Sequence, residues 1–289
     1  MRILYIIYGE KFEYHIQAYF SILSLLSKKN NEISIWVLTD KPQNYKSLNY
    51  VNTISVTPDE ISKWINVTGY SFRAKLKGLQ KFVETVGDNQ PFLFVDTDTM
   101  ICGDITQILS MLNERNGIMY EKEGHPSERH GKPLKMWNSI KGKTINNITF
   151  GMEHIIWNSC VVGIPSGCQL KILELAITLC DFIYQVYPKC HFIEQYALGI
   201  AMQNYLPIKE AKKYILHYWA NKPDWNKYIT NKLLTYKLAG YGDKEMIEDV
   251  AKTPIDVLPI SIHRSSTKRR INKLLDRVFP DKDIHFFNK

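Results

Sequence analysis

Apolar positions in the first hundred residues follow two rhythms. Arg2–Tyr8 is a nearly unbroken apolar run closed by Gly9, and Ile33–Leu38 is a second run closed by Thr39-Asp40 and Lys41-Pro42. Pro91–Val95 is a third, with Asp96 at its carboxyl end, and Asn52–Val56 is a shorter one before Pro58. Unbroken apolar runs of this length predict strands buried on both faces. Between them the period changes. From Tyr14 to Lys29, Ile16, Tyr19, Phe20, Leu23 and Leu26 recur at helical spacing, and Phe72–Val86 repeats the pattern. Strand–helix alternation of this kind predicts an α/β fold with a doubly wound, mostly parallel sheet. Ligands of such sheets bind outside the carboxyl ends of the strands, so chemistry is sought near Tyr8-Gly9, Thr39-Asp40 and Asp96.

Periodicity fades from about Glu121 to Gly151, a polar stretch expected to be a long functional loop. It returns at Ile155–Ile164, read as a strand, then at Leu170–Tyr187 and Ile193–Asn204, read as helices. The organisation expected is one catalytic α/β domain over 1–230 and a helical, basic extension over 231–289.

Charge changes the picture only at one end. The chain has 289 residues and a formal charge of +8. Residues 261–289 hold eight Lys and Arg against three Asp, which is five of those eight charges, and leave the body nearly neutral. Ile271, Leu274, Leu275, Val278 and Phe279 recur at helical spacing there, predicting a basic amphipathic helix. Such a helix either docks on its own domain or lies on an anionic membrane surface. A neutral body argues against nucleic acid as a partner. No apolar run reaches the roughly 20 residues of a spanning helix, and no secretory signal is read at the start. Five cysteines without a C-x-x-C pair fit a reducing compartment. The expected location is therefore cytoplasmic, with peripheral attachment to the inner face of a membrane as the further option.

Phe92-Leu93-Phe94-Val95-Asp96-Thr97-Asp98-Thr99 carries the sharpest chemistry. An apolar strand delivers two carboxylates, two residues apart, to the edge where a ligand sits; positions i and i+2 of a strand face one way. Mg2+ or Mn2+ accepts one or two carboxylates and completes its shell with water and phosphate. The alternative is a plain strand cap, and Asp281-Lys282-Asp283, with no strand before it, shows how little the spacing means by itself. Lys75 is the second anomaly. At about 100° per residue it falls inside the stripe of Phe72, Leu76, Leu79, Phe82, Val83 and Val86. There it either snorkels to solvent or meets a phosphate or the acidic motif. Arg73 and Lys77 flank it.

These residues resemble a family. The strand ending in Tyr8-Gly9, the Leu38-Thr39-Asp40 close, SFRAKLKGLQKF (71–82) and PFLFVDTDTMICGDI (91–105) look like a nucleotide-diphospho-sugar glycosyltransferase of the GT-A fold. WNSCVVGIP (157–165), FIEQYALGIAMQ (192–203) and HYWANKPDW (217–225) are similar to segments of its galactosyltransferase and glycogenin-like branch. The resemblance implies Asp96, Asp98 and His217 as ligands of Mn2+ or Mg2+. It implies Asn158 on the donor sugar, Glu194 and Gln195 beside the reacting carbon, and Lys222 on the diphosphate. Tyr8 and Gly9 would border the base, with Arg73, Lys75 and Thr97 completing the donor-binding set. The partners implied are a nucleotide-diphospho-sugar, most simply a UDP-sugar, and a hydroxyl of a glycan or glycolipid acceptor. The chain departs from the pattern at Ala220 and Glu194 and in the spacing of Lys222 from His217, which leaves inversion or retention open. Structural readings stand beside each assignment: His217 as a core histidine, Glu194-Gln195 as a helix-start complement, Asn158 as a strand end. Two other functions compete, a haloacid-dehalogenase-like phosphatase with Asp96 as nucleophile, and an inactive transferase fold acting as a basic binding module.

Overall fold

The structure, a computed structural model, describes residues 1–28, 32–262, 271, 274–275 and 277–279. The basic helix expected near the end of the chain lies largely outside the described residues. The first half runs β1 (Arg2–Ile7), α1 (Phe12–Leu26), β2 (Ser34–Thr39), β3 (Val51–Ser55), α2 (Pro58–Asn66), α3 (Arg73–Val86), β4 (Phe92–Val95), β5 (Thr99–Ile101), α4 (Thr106–Asn113) and β6 (Gly117–Met119). The second runs β7 (Lys122–Gly124), α5 (Lys132–Ile140), β8 (Thr144–Ile145), β9 (Ile148–Thr149), β10 (Ile156–Trp157), β11 (Val161–Ile164), α6 (Gln169–Val186), α7 (Ile193–Tyr205), β12 (Ile208–Glu210), β13 (Ile215–His217), α8 (Lys222–Ala239) and α9 (Asp243–Ala251).

Seven strands form the main sheet in the order β12-β6-β11-β4-β1-β2-β3. β1 lies parallel to β2 and β4, with Ile3 opposite both Ile35 and Leu93, while β11 runs antiparallel between β4 and β6. The predicted parallel sheet is thus present, with one reversed strand beside the acidic motif. Strand alternation sorts its side chains to two cores. Leu4, Phe92 and Phe94 pack with Leu76, Leu79, Ile172 and Leu173 on one face. Ile3, Tyr5, Leu93 and Val95 pack with Ile22, Leu25 and Ile108 on the other. A third cluster, Phe20, Leu23, Trp225, Ile229, Tyr236 and Val250, fastens α8 and α9 to α1. Gly78 sets α3 close on the sheet: a Cβ there would meet Ile6 at 2.9 Å. The near end of α3 is thereby brought over the carboxyl ends of β1 and β4.

The stretch 121–151 is not the irregular loop its polarity suggests. It holds β7, a 3-10 turn at Pro126–Glu128, α5 and the β8–β9 hairpin. Its elements are too short to display a period, yet Met136, Trp137 and Ile140 are buried. Asn146 and Asn147 both take positive φ, the backbone of a tight two-residue hairpin. The strand expected over 155–164 is two strands. β10 pairs with β7 and β11 with β4, the break falling at Asn158–Cys160.

Candidate active site

β4 ends at Val95, and the backbone then bends before β5 begins at Thr99. Asp96 and Asp98 flank this bend, so it is the turn, not strand alternation, that brings them together. The bend is heavily tied. Asp96 N donates to Cys160 O at 2.7 Å, Tyr218 N to Asp98 O at 3.1 Å, and the Thr99 hydroxyl to Asp96 O at 2.8 Å. The Thr97 hydroxyl donates to Gln17 of α1 at 3.0 Å, and Ser21 of α1 bonds Thr99 at 2.9 Å. β13 runs antiparallel to β5 with His217 opposite Thr99. That pairing carries a residue from far along the chain to the acidic motif.

Ligand atoms of Asp96, Asp98 and His217 lie within 4.8 Å of one another. With bonds of 2.0–2.1 Å, ligands of an octahedral Mg2+ stand about 3.0 Å apart in cis and about 4.2 Å in trans. Two carboxylates and an imidazole this close are a donor set consistent with a divalent cation once the spread closes by about half an ångström. Two lysines close the cluster. Lys222 Nζ donates to Asp98 Oδ2 at 2.9 Å, and His217 Nε2 stands 3.4 Å from the same oxygen. Lys75 Nζ donates to Ser159 O at 2.8 Å and lies 3.5 Å from Asp96 Oδ2 and 4.0 Å from Glu194 Oε1.

The electrostatics are those of charges kept from water. Burial opposes ionisation of Asp98, but the hydrogen bond and charge of His217, with Lys222, outweigh it and hold the carboxyl well below the usual range. Burial raises Asp96 and Glu194, and Lys75 offsets this only in part. Burial alone would lower the Lys75 ammonium; Asp96 and Glu194 reverse that and raise it. Glu194 is 3 % exposed, accepts from the Ser159 hydroxyl at 3.0 Å, and has a second oxygen that accepts no hydrogen bond.

Two cavities, of about 660 and about 410 Å³, meet at Phe72, Lys75, Asp96, Asp98 and Lys222. Tyr8, Tyr14 and Thr97 line the smaller. Asn158, Glu194, Gln195 and His217 line the larger, with Glu123, Arg129 and Trp219. Most of the residues singled out in the sequence are thus brought to one place. Two are not. Gly9 turns at φ +89° beside the smaller cavity, its N–H given to Asp40. Arg73 belongs to the fold: its guanidinium donates to both oxygens of Asp181, at 2.6 and 2.9 Å, and to Trp64 O at 2.8 Å. Residues i and i+2 of a helix face different ways. With Lys75 turned to the site, Arg73 cannot be.

Sequence reasoning missed Tyr14, Ser159, Glu123 and Arg129. Tyr14 opened a helix whose stripe was read as core. Glu123 and Arg129 sit in the polar stretch, where nothing marked one charge above its neighbours.

No protein-family model matches the chain, and no curated protein does. Solved structures do. The galactosyltransferase LgtC, crystallised with donor and acceptor sugar analogues, superposes with a TM-score of 0.54 over 89 % of this chain and 98 % of its own, at 11 % identity. The glycosyltransferase GlyE of Streptococcus pneumoniae gives 0.49 over 88 % and 66 %, at 14 % identity. The LgtC likeness shows a shared fold, the GT-A architecture expected from the sequence.

Proposed function

We propose that the chain is a metal-dependent glycosyltransferase that moves a sugar from a nucleoside-diphosphate donor, most simply a UDP-sugar, to a hydroxyl of a glycan or glycolipid. The observation that carries this reading is the Asp96–Asp98–His217 cluster, flanked by two lysines where two cavities meet at a strand end. One cavity takes the nucleotide past Tyr8, Tyr14 and Thr97; the other takes the sugar and acceptor past Asn158, Glu194 and Gln195. A Mn2+ or Mg2+ held by Asp96, Asp98 and His217 would supply positive charge to the departing diphosphate. Lys222 and Lys75 add fixed charge on either side, preorganised by their carboxylate partners. Glu194 has an oxygen that accepts no hydrogen bond, and this faces the reacting end. In an inverting reaction it removes the acceptor proton; in a retaining one it and Gln195 face the positive charge that develops on the sugar ring. The phosphatase reading lacks support, since Asp96–Asp98–His217 is the one such metal-ligand group among the described residues.

No described helix is long and apolar enough to cross a membrane. We infer that the basic segment after Ser261 serves a membrane-borne acceptor: Ile271, Leu274, Leu275, Val278 and Phe279 are all exposed. Deleting it should abolish association with anionic vesicles and spare nucleotide binding.

Thermal shift with UDP, GDP and CDP, each with and without Mn2+, tests the main reading. One diphosphate should stabilise the protein only with the metal, and EDTA or Asp98→Ala should remove the effect. Equal shifts in the Asp98→Ala protein, or none with any diphosphate, would overturn it.

A further inference from the structure

The buried face of α1 carries three polar side chains that its apolar stripe does not explain. Gln17, Ser21 and Ser24 fall at i, i+4 and i+7, on one face of the helix, and all three are buried. Opposite them runs the chain from the acidic bend into β5. The Thr97 hydroxyl donates to Gln17 Oε1 at 3.0 Å, the Ser21 and Thr99 hydroxyls share a bond of 2.9 Å, and Ile101 N donates to Ser24 Oγ at 2.9 Å. Successive turns of the helix thus meet alternate residues of the facing segment. Ser21 gives its remaining bond to Tyr5 of β1, and Ser24 donates back to the backbone of its own helix. Gln17 does something different. Its Nε2 crosses to α8 and donates to Asn226 Oδ1 at 2.7 Å.

That bond bears on the site because of where Asn226 stands. It lies four residues after Lys222, and so on the same face of α8. Lys222 Nζ donates to Asp98 Oδ2 at 2.9 Å, and Asp98 directly follows Thr97. The Gln17 amide and the Lys222–Asp98 pair therefore close one ring, from the bend to α1, to α8 and back to the bend. Its two links differ in firmness. The Lys222 side chain is 40 % exposed, on a flexible four-carbon stem. Gln17 is 1 % exposed and engaged at both ends of its amide, and a buried polar group left without its partners is costly. The amide sets the spacing, and the lysine follows it.

We propose that Gln17 is a positioning residue: by holding Thr97 and Asn226 together it fixes the acidic bend against the start of α8, and so places the Lys222 ammonium beside Asp98. The inference rests on the transferase reading, in which Lys222 meets the diphosphate, and names the residue that puts it there.

A double-mutant cycle tests it, read by calorimetric titration with Mn2+ and whichever of UDP, GDP or CDP binds. In the natural protein Lys222→Met should weaken the diphosphate about tenfold or more, the scale of one hydrogen bond to a charged group. In Gln17→Met and in Asn226→Ala the same lysine substitution should cost about twofold or less, because the ammonium is already out of place. Asn226 is half-buried, so that arm does not depend on a core variant folding. Ser21→Ala supplies the contrast. It removes a buried bond to the same segment without touching α8, and should lower the melting temperature while Lys222→Met keeps its full effect. Losses that simply add in Gln17→Met and Asn226→Ala, or no loss on Lys222→Met in the natural protein, overturn the inference and leave the transferase reading intact. So does a Ser21→Ala protein in which the effect of the lysine has vanished, since that is general loosening. Failure to bind any diphosphate overturns both.

Discussion

The two ends of the cavity are built by different means. At the end proposed for the metal and diphosphate, buried and half-buried charges answer one another: Lys75 with Asp96 and Glu194, Lys222 and His217 with Asp98. Its residues sit on the edges of β4, β13, α3 and α8, elements pinned by the main cores. At the sugar end, one carboxylate ties two amides and an arginine, and the residues sit on a three-residue strand, a strand break and the first turn of a helix. The first end is a set of mutually paired charges. The second is a polar surface that can be rewritten with small consequences for stability.

The difference can be broken from either side. Lys75→Met should have the largest effect, since it leaves Glu194 buried and Asp96 half-buried without their cation. Denaturant unfolding should show a loss of about 3–5 kcal/mol, the scale of a buried ion pair stripped of one partner. A loss near zero would mean that this end is not held by its charges. Asn158→Ala should come next. It frees Cys160 N and one oxygen of Glu123, and should cost about 1–3 kcal/mol of stability or donor affinity. Here the intact donor should weaken more than the bare diphosphate in calorimetry; equal weakening would erase the division between the two ends. Arg129→Ala should be the mildest. Its pair with Glu123 is partly exposed, so unfolding should shift by less than about 1 kcal/mol. A larger shift would show the sugar wall to be as deeply embedded as the metal end.

The same contrast governs what the sequence allowed one to read. β1, α1, β2, α3 and β4 were legible because long apolar runs and long helical stripes state their period over many residues. Asp96 and Asp98 were legible because they follow such a run, and Lys75 because it interrupts a stripe. His217 came only with the family resemblance, since the β5–β13 pairing that delivers it involves three residues on each strand. Arg73 stood beside Lys75 in sequence and was drawn toward the site, although helix geometry turns it to Asp181. Glu123 was invisible for the converse reason. A three-residue strand has no period, and a glutamate in a polar stretch differs from its neighbours only by what folds against it.

The pairing of β13 with β5 has a consequence for the order in which the protein comes into being. Asp96 and Asp98 leave the ribosome with the first sheet strands, but His217 and Lys222 follow only after β5 through β12 and the helices between them have been made. A nascent chain holds two close carboxylates and none of the partners that hold Asp98 ionised. Cation affinity should therefore mature late, when the last short strand closes against the first half, and bound cation should favour the finished molecule over any chain cut short before β13.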